Sequence, residues 1–166
     1  MFVYPEKAQS HMEPAEIGSR PWHHRSDCFI CRKQEGMEIP PFGGYIVEGK
    51  YFLVEHAPLK LSHVGTVIIQ ARRHLLEFGE MTSAESAEFG SIMRRLVPAV
   101  KAVTGAHRVY YLSVNEHAPH FHLWLVPKNK NTKLEPLPFL SRRPAAAMKS
   151  GAEAISRKIR RQLDRS

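Results

Sequence analysis

Two histidines stand one residue apart in the segment Pro119-His120-Phe121-His122. On a strand, residues two apart project from the same face, so both imidazoles point one way while Phe121 and Leu123 turn toward a core. Such a pair can bind a metal, divide labour as a nucleophile and its orienter, or be inert. Cys28-Phe29-Ile30-Cys31 adds the bite of half a tetrahedral zinc site, for which thiolate and imidazole are preferred ligands. These are the chain's two cysteines, too few for a secreted disulfide framework. A redox pair is the alternative to a metal half-site. His74, in Ala71-Arg72-Arg73-His74 directly after an apolar run, could complete a Cys2His2 set with one histidine of the strand. Otherwise it is a surface histidine in a basic turn.

These side chains need elements to position them. Residues 45–56 read as two short strands around a Glu-Gly-Lys turn, and residues 65–70 as another strand. Thr82-Ser83-Ala84-Glu85 fits a capping box. The helix it opens carries Phe89, Ile92, Met93, Leu96, Val97 and Val100 on one face. It is expected to kink at Pro98 and to end at Thr104-Gly105. Residues 108–115 and 120–127 read as an antiparallel hairpin whose turn, Glu116 to Pro119, has about four residues. Pro144 suits the first position of a last helix that runs to Leu163. Strands, a long helix, strands and a helical tail make an α+β pattern.

With 166 residues, 43% of them apolar, the chain has room for one domain with a core and for extensions. No run approaches the roughly 18 apolar residues that span a bilayer. Met1 to Arg25 has no apolar stretch, so no secretory signal is expected and a cytoplasmic location is the default. The formal charge of +8 is uneven: residues 130–166 hold ten Lys and Arg against three Asp and Glu, which leaves +1 for the rest. The plain reading of this tail is a solvated helix; the alternative is an anionic partner, nucleic acid included, at Arg157, Lys158, Arg160 and Arg161. The expected division is an N-terminal extension over 1–26, a domain over 27–128 and a basic helical tail over 129–166.

Taken in order, the parts resemble the histidine triad (HIT) family. An Asp-Cys-Phe-Ile-Cys opening, a strand ending in Arg-Arg-His, a long helix, a hairpin and a His-x-His strand ending in Val-Pro-Lys follow one another over residues 27–128. The zinc-carrying members are nearest in pattern, and galactose-1-phosphate uridylyltransferase is a more distant relative. The resemblance implies a HIT-like α+β fold, an antiparallel sheet of about five strands with one long helix and a C-terminal helical tail. It implies a nucleotide hydrolase or nucleotidyltransferase that acts at a nucleoside α-phosphate, with His122 as the nucleophile that becomes a nucleotidyl-histidine. A non-catalytic nucleotide-binding or regulatory protein is the alternative. It implies zinc on Cys28, Cys31, His74 and His120, and four protein ligands make such a metal structural. Glu55, three residues before Pro58, stands where the family has an Asp or Asn that binds the ribose hydroxyls, and Asn115 matches an asparagine that touches the phosphate. A nucleotide or nucleotide-conjugate substrate and a two-fold homodimer are implied as well.

Three features depart from the family's pattern. Trp124 stands where the third histidine belongs. An indole N–H can donate one bond but cannot accept a proton, so Trp124 is read as donating to a phosphate, stacking on a base or closing the pocket. The Gly-rich loop before the motif is shortened to Glu116-His117-Ala118-Pro119, where His117 could protonate a leaving group or be a plain turn residue. Glu55 replaces a shorter Asp or Asn and reaches further.

Overall fold

The runs Phe-Leu-Val-Glu-His and Val-Ile-Ile-Gln-Ala are buried at every position. Strands buried on both faces need neighbours on both, and the fold supplies them. The computed structural model describes residues 25–116, 118–141 and 149–165. Along the chain come α1 (Phe29–Gln34), β1 (Val47–Glu48), β2 (Phe52–His56), β3 (Val67–Ala71), α2 (Ser83–Thr104), β4 (Arg108–Leu112), β5 (His122–Lys128), α3 (Pro136–Ser141) and α4 (Lys149–Leu163). The strands form one antiparallel sheet in the order β1-β2-β3-β5-β4, the α+β architecture expected.

The register separates the sheet's two faces. Phe52 pairs with Ala71, Val54 with Ile69, and Val67 with Leu125, and all of these lie in the core beneath α2. Glu55 pairs with Ile68, Ile68 with Trp124, and Gln70 with His122, which puts these side chains on the opposite face. Leu96, Ala99 and Val100 of α2 belong to the same core, as do Phe121 and, from α4, Ile159 and Leu163. Each fully buried side chain of this kind contributes about 1.5–3 kcal/mol.

Helix α2 begins and ends at its sequence signals. Thr82 Oγ1 accepts from Glu85 N–H at 3.2 Å, and Glu85 Oε2 accepts from Thr82 N–H at 2.7 Å. Gly105 stops the helix with φ 70°, a left-handed turn that favours glycine. The helix continues through Pro98. Glu88 Oε1 accepts from the backbone N–H groups of Tyr51 and Phe52, which ties the β1–β2 hairpin to α2.

Three parts differ from the sequence reading. The strand pairing of β4 with β5 stops at Leu112 and Trp124, so the connection is longer than Glu116–Pro119. The cause lies in the segment before β5: Phe121 N–H donates to Leu75 O and Ala71 N–H to Phe121 O, which draws residues 120 and 121 toward the turn after β3. His120 therefore precedes β5 instead of belonging to it. Second, α4 is not a solvated helix on all sides. Ala152, Ser156, Ile159 and Leu163 form a buried stripe, and Arg160 donates to the carbonyls of Gly43 and Tyr45. Third, α1 and α3 are short helices for which the sequence carries no periodic signal. His24 and earlier residues, His117 and Pro144 lie outside the described residues. No helix among the described residues is long and apolar enough to cross a membrane.

Candidate functional site

Helix α1 has six residues, a length that is marginal in isolation. Cys28 at its N-cap and Cys31 in its first turn are both buried. They meet His74 from the turn after β3 and His120 from the segment before β5. The ligand atoms of all four lie within 4.8 Å of one another. Cys28 Sγ and Cys31 Sγ are each 3.5 Å from His120 Nδ1, and Cys31 Sγ is 3.5 Å from His74 Nδ1. A tetrahedral zinc with ordinary Zn–S and Zn–N bonds gives S···N edges of about 3.6 Å. The donor set and its spacing therefore fit zinc.

The surroundings favour the same use. His120 Nε2 lies 2.8 Å from Ala71 O, so the N–H is on Nε2 and Nδ1 presents its lone pair to the cluster. Gln34 Nε2 donates to the same carbonyl at 2.8 Å and holds the end of α1 there. Burial pushes the Cys31 thiol up to about 11, so a neighbouring cation is what would favour its thiolate. Beside His74, Arg73 makes a two-pronged ion pair with Glu85, at 3.0 and 2.9 Å, and also donates to Glu80 O. Burial raises the Glu85 carboxyl, but the Arg73 guanidinium and the Thr82 hydrogen bonds outweigh it and hold the group below its ordinary value. This pair clamps the His74 turn to the start of α2.

His122 faces a different environment. Its Nδ1 lies 2.7 Å from His120 O. A carbonyl only accepts, so Nδ1 carries the proton and the neutral ring keeps its lone pair on Nε2. His122 lines a cavity of about 490 Å³ on the sheet face away from α2. Glu55, Ile68, Gln70, Trp124 and Val126 share that face. Phe29, Ile30 and Lys33 of α1 form one wall, the loop from Pro58 to His63 another, and Phe139 of α3 closes an end by stacking on His63 at 5.1 Å. The lining is chiefly apolar, with few polar points, as in many sites for small molecules.

The expected site residues divide accordingly. Cys28, Cys31, His74 and His120 come together. His122, Glu55 and Trp124 line the cavity, with the Trp124 ring 6.4 Å from that of His122. Asn115 is not part of the lining; its amide donates to Leu76 O at 2.8 Å. The expectation for His117 lies outside the described residues. Glu55 is engaged: Lys33 Nζ sits 2.6 and 2.7 Å from its two oxygens. Burial pushes the Glu55 carboxyl above its ordinary value, and the Lys33 ammonium pulls it back. Sequence reasoning missed Lys33, Thr66 and Gln70, all of which line the cavity. The available signal was a polar residue at each end of the apolar stretch Thr-Val-Ile-Ile-Gln.

Comparison with protein-family models and with curated proteins finds no match. Among solved structures the chain is similar to a hypothetical histidine triad nucleotide-binding protein from Sulfolobus tokodaii, with 14% identity and a TM-score of 0.65 over 83% of this chain and 93% of that one. It is similar to a zinc-bound histidine triad family protein from Mycobacterium smegmatis, with 19% identity and a TM-score of 0.62 over 84% and 94%. A HIT-like protein involved in cell-cycle regulation from Bartonella henselae gives 11% identity and a TM-score of 0.65 over 84% and 98%. The chain has the fold of the histidine triad proteins, with the segment His120-Phe121-His122-Leu123-Trp124 beside a cluster of two cysteines and two histidines.

Proposed function

We propose that this protein binds nucleotides or nucleotide conjugates and breaks or transfers a bond at the α-phosphate through a covalent nucleotidyl-His122. The observation that carries the reading is the tautomer of His122. With Nδ1–H held by the His120 carbonyl, Nε2 is a neutral nitrogen nucleophile at the edge of an apolar cavity. Its lone pair attacks the α-phosphorus, and the bond to the leaving group breaks with its electron pair. The ring then carries positive charge, which the Nδ1–H···O=C bond stabilises. Water or an acceptor alcohol attacks the phosphorus in the second step and releases its proton to solvent, and the P–N electron pair returns to Nε2. His117 is assigned the protonation of the leaving group.

Cys28, Cys31, His74 and His120 would hold zinc, which with four protein ligands supplies a cross-link instead of an open Lewis-acid position. The fit of the S···N spacing and the zinc-bound structural relative support this. Glu55 is assigned to the sugar hydroxyls and Trp124 to the base or the pocket wall; the phosphate contact expected of Asn115 would require its amide to leave Leu76 O. A cytoplasmic setting, which keeps Cys28 and Cys31 reduced, suits such a metal site. The protein is assigned a homodimer that uses the sheet edge. The apolar exposure of β4 supports it, with Tyr111 52% and Leu112 36% exposed on an edge strand.

The test is turnover of dinucleoside polyphosphates, nucleoside phosphoramidates and phosphosulfates by the wild type and by His122→Ala. A loss well beyond about tenfold is expected for a missing nucleophile. A second reading, a non-catalytic nucleotide binder, is favoured by Asn115, whose amide is turned to Leu76 O. Binding that survives His122→Ala, with a wild type that turns over nothing, selects it.

A further inference from the structure

Gln70 ends the apolar run of β3, and its side chain is almost completely buried, at 1% exposure. It lines the cavity, yet its Nε2 has no hydrogen-bond partner in the structure. Burying an amide N–H without an acceptor is costly, and native structures rarely do it without a reason. An aliphatic residue, like Ile68 two positions earlier on the same face, would avoid that cost. A donor kept in such a place is one whose acceptor arrives with a ligand.

The register says which part of a ligand that is. Gln70 sits directly opposite His122, and opposed side chains on one sheet face are about 4.5–5.5 Å apart at Cβ. A phosphorus poised for attack lies about 3–3.5 Å from the nucleophilic nitrogen. Its non-bridging oxygens then fall within reach of an amide on the neighbouring strand. Thr66 Oγ1 is a second buried, unpartnered atom in the lining. Four residues of extended chain separate it from Gln70 by roughly 13 Å, too far to serve the same group.

We propose that Gln70 is a substrate-binding residue whose carboxamide N–H donates to a non-bridging oxygen of the phosphate held at His122. The assignment rests on the nucleotide reading above and deepens it by naming a phosphate donor inside the cavity, where Asn115 is not. An uncharged donor fixed by burial needs no reorganisation when charge gathers on the phosphate oxygens.

The experiment is calorimetric titration of the full chain with purine and pyrimidine nucleosides and with their 5′-monophosphates, for the wild type, Gln70→Met and Gln70→Leu. Both variants are expected to melt at or above the wild-type temperature, because an unpartnered buried donor is gone. Their affinity for the monophosphate is expected to fall roughly 10- to 100-fold, while affinity for the nucleoside stays within about twofold. Monophosphate affinity that does not change would overturn the assignment. A fall shared equally by nucleoside and monophosphate would overturn it too, as would a clear loss of melting temperature in both variants. A wild type that binds no monophosphate at all refutes the nucleotide reading itself, and the Gln70 assignment with it.

Discussion

The Nδ1 of His122 lies 2.7 Å from the carbonyl oxygen of His120, and the two rings serve different neighbourhoods. His120 turns its Nδ1 to Cys28 and Cys31, while His122 lines the cavity. The backbone of His120 thus sets the tautomer of His122. A change that displaces the His120 segment would alter which nitrogen of His122 carries the proton without touching its side chain.

The Cys/His cluster is expected to hold about one zinc per chain, which elemental analysis after chelator-free purification measures directly. Cys28→Ser or Cys31→Ser should lose the metal. Each should cost at least about 2 kcal/mol, or roughly 4–8 °C in melting temperature for a chain of this size. The expectation fails if the wild type carries no zinc, or if both variants melt like it.

The Arg73–Glu85 pair should make stability fall in acid. The folded carboxyl titrates below its ordinary value of 4.5, so its contribution is complete above that pH and is lost as pH drops through the lower folded value. Glu85→Gln should flatten this part of the pH profile of chemical denaturation. Arg73→Met leaves Glu85 buried without its cation and should cost about 3 kcal/mol at neutral pH. An unchanged acid profile in Glu85→Gln would show that the pair does not govern it.

The β4 edge gives a third test. Light scattering on a sizing column is expected to report twice the mass of the 166-residue chain. Tyr111→Lys, which puts charge on the exposed edge, should shift the population to monomer. A wild-type monomer at all concentrations would show that the β4 edge does not form a dimer.

What the sequence made legible depended on how local each signal was. The capping box at Thr82, the left-handed stop at Gly105 and the face of α2 are written within a few residues, and each is found in the structure. The cluster of Cys28, Cys31, His74 and His120 was legible because ligand chemistry restricts the candidates to few residue types. Helices α1 and α3 were not, since six residues give periodicity too little length to show. Gln70 and Lys33 were invisible for another reason. Their roles depend on register and packing: Gln70 matters because it opposes His122, and Lys33 because α1 brings it to Glu55, 22 positions away. Asn115 shows the reverse case, a plausible residue type whose side chain is directed elsewhere.

Covalent nucleotidylation of His122 is read out by intact-protein mass spectrometry. The protein is incubated with a dinucleoside polyphosphate or nucleoside phosphoramidate, quenched rapidly without acid, and digested to locate the modification. The expected result is a mass increase corresponding to one nucleotidyl group, located on His122 and absent from His122→Ala. Turnover in the wild type with no adduct on His122, or an adduct that persists in His122→Ala, would contradict it.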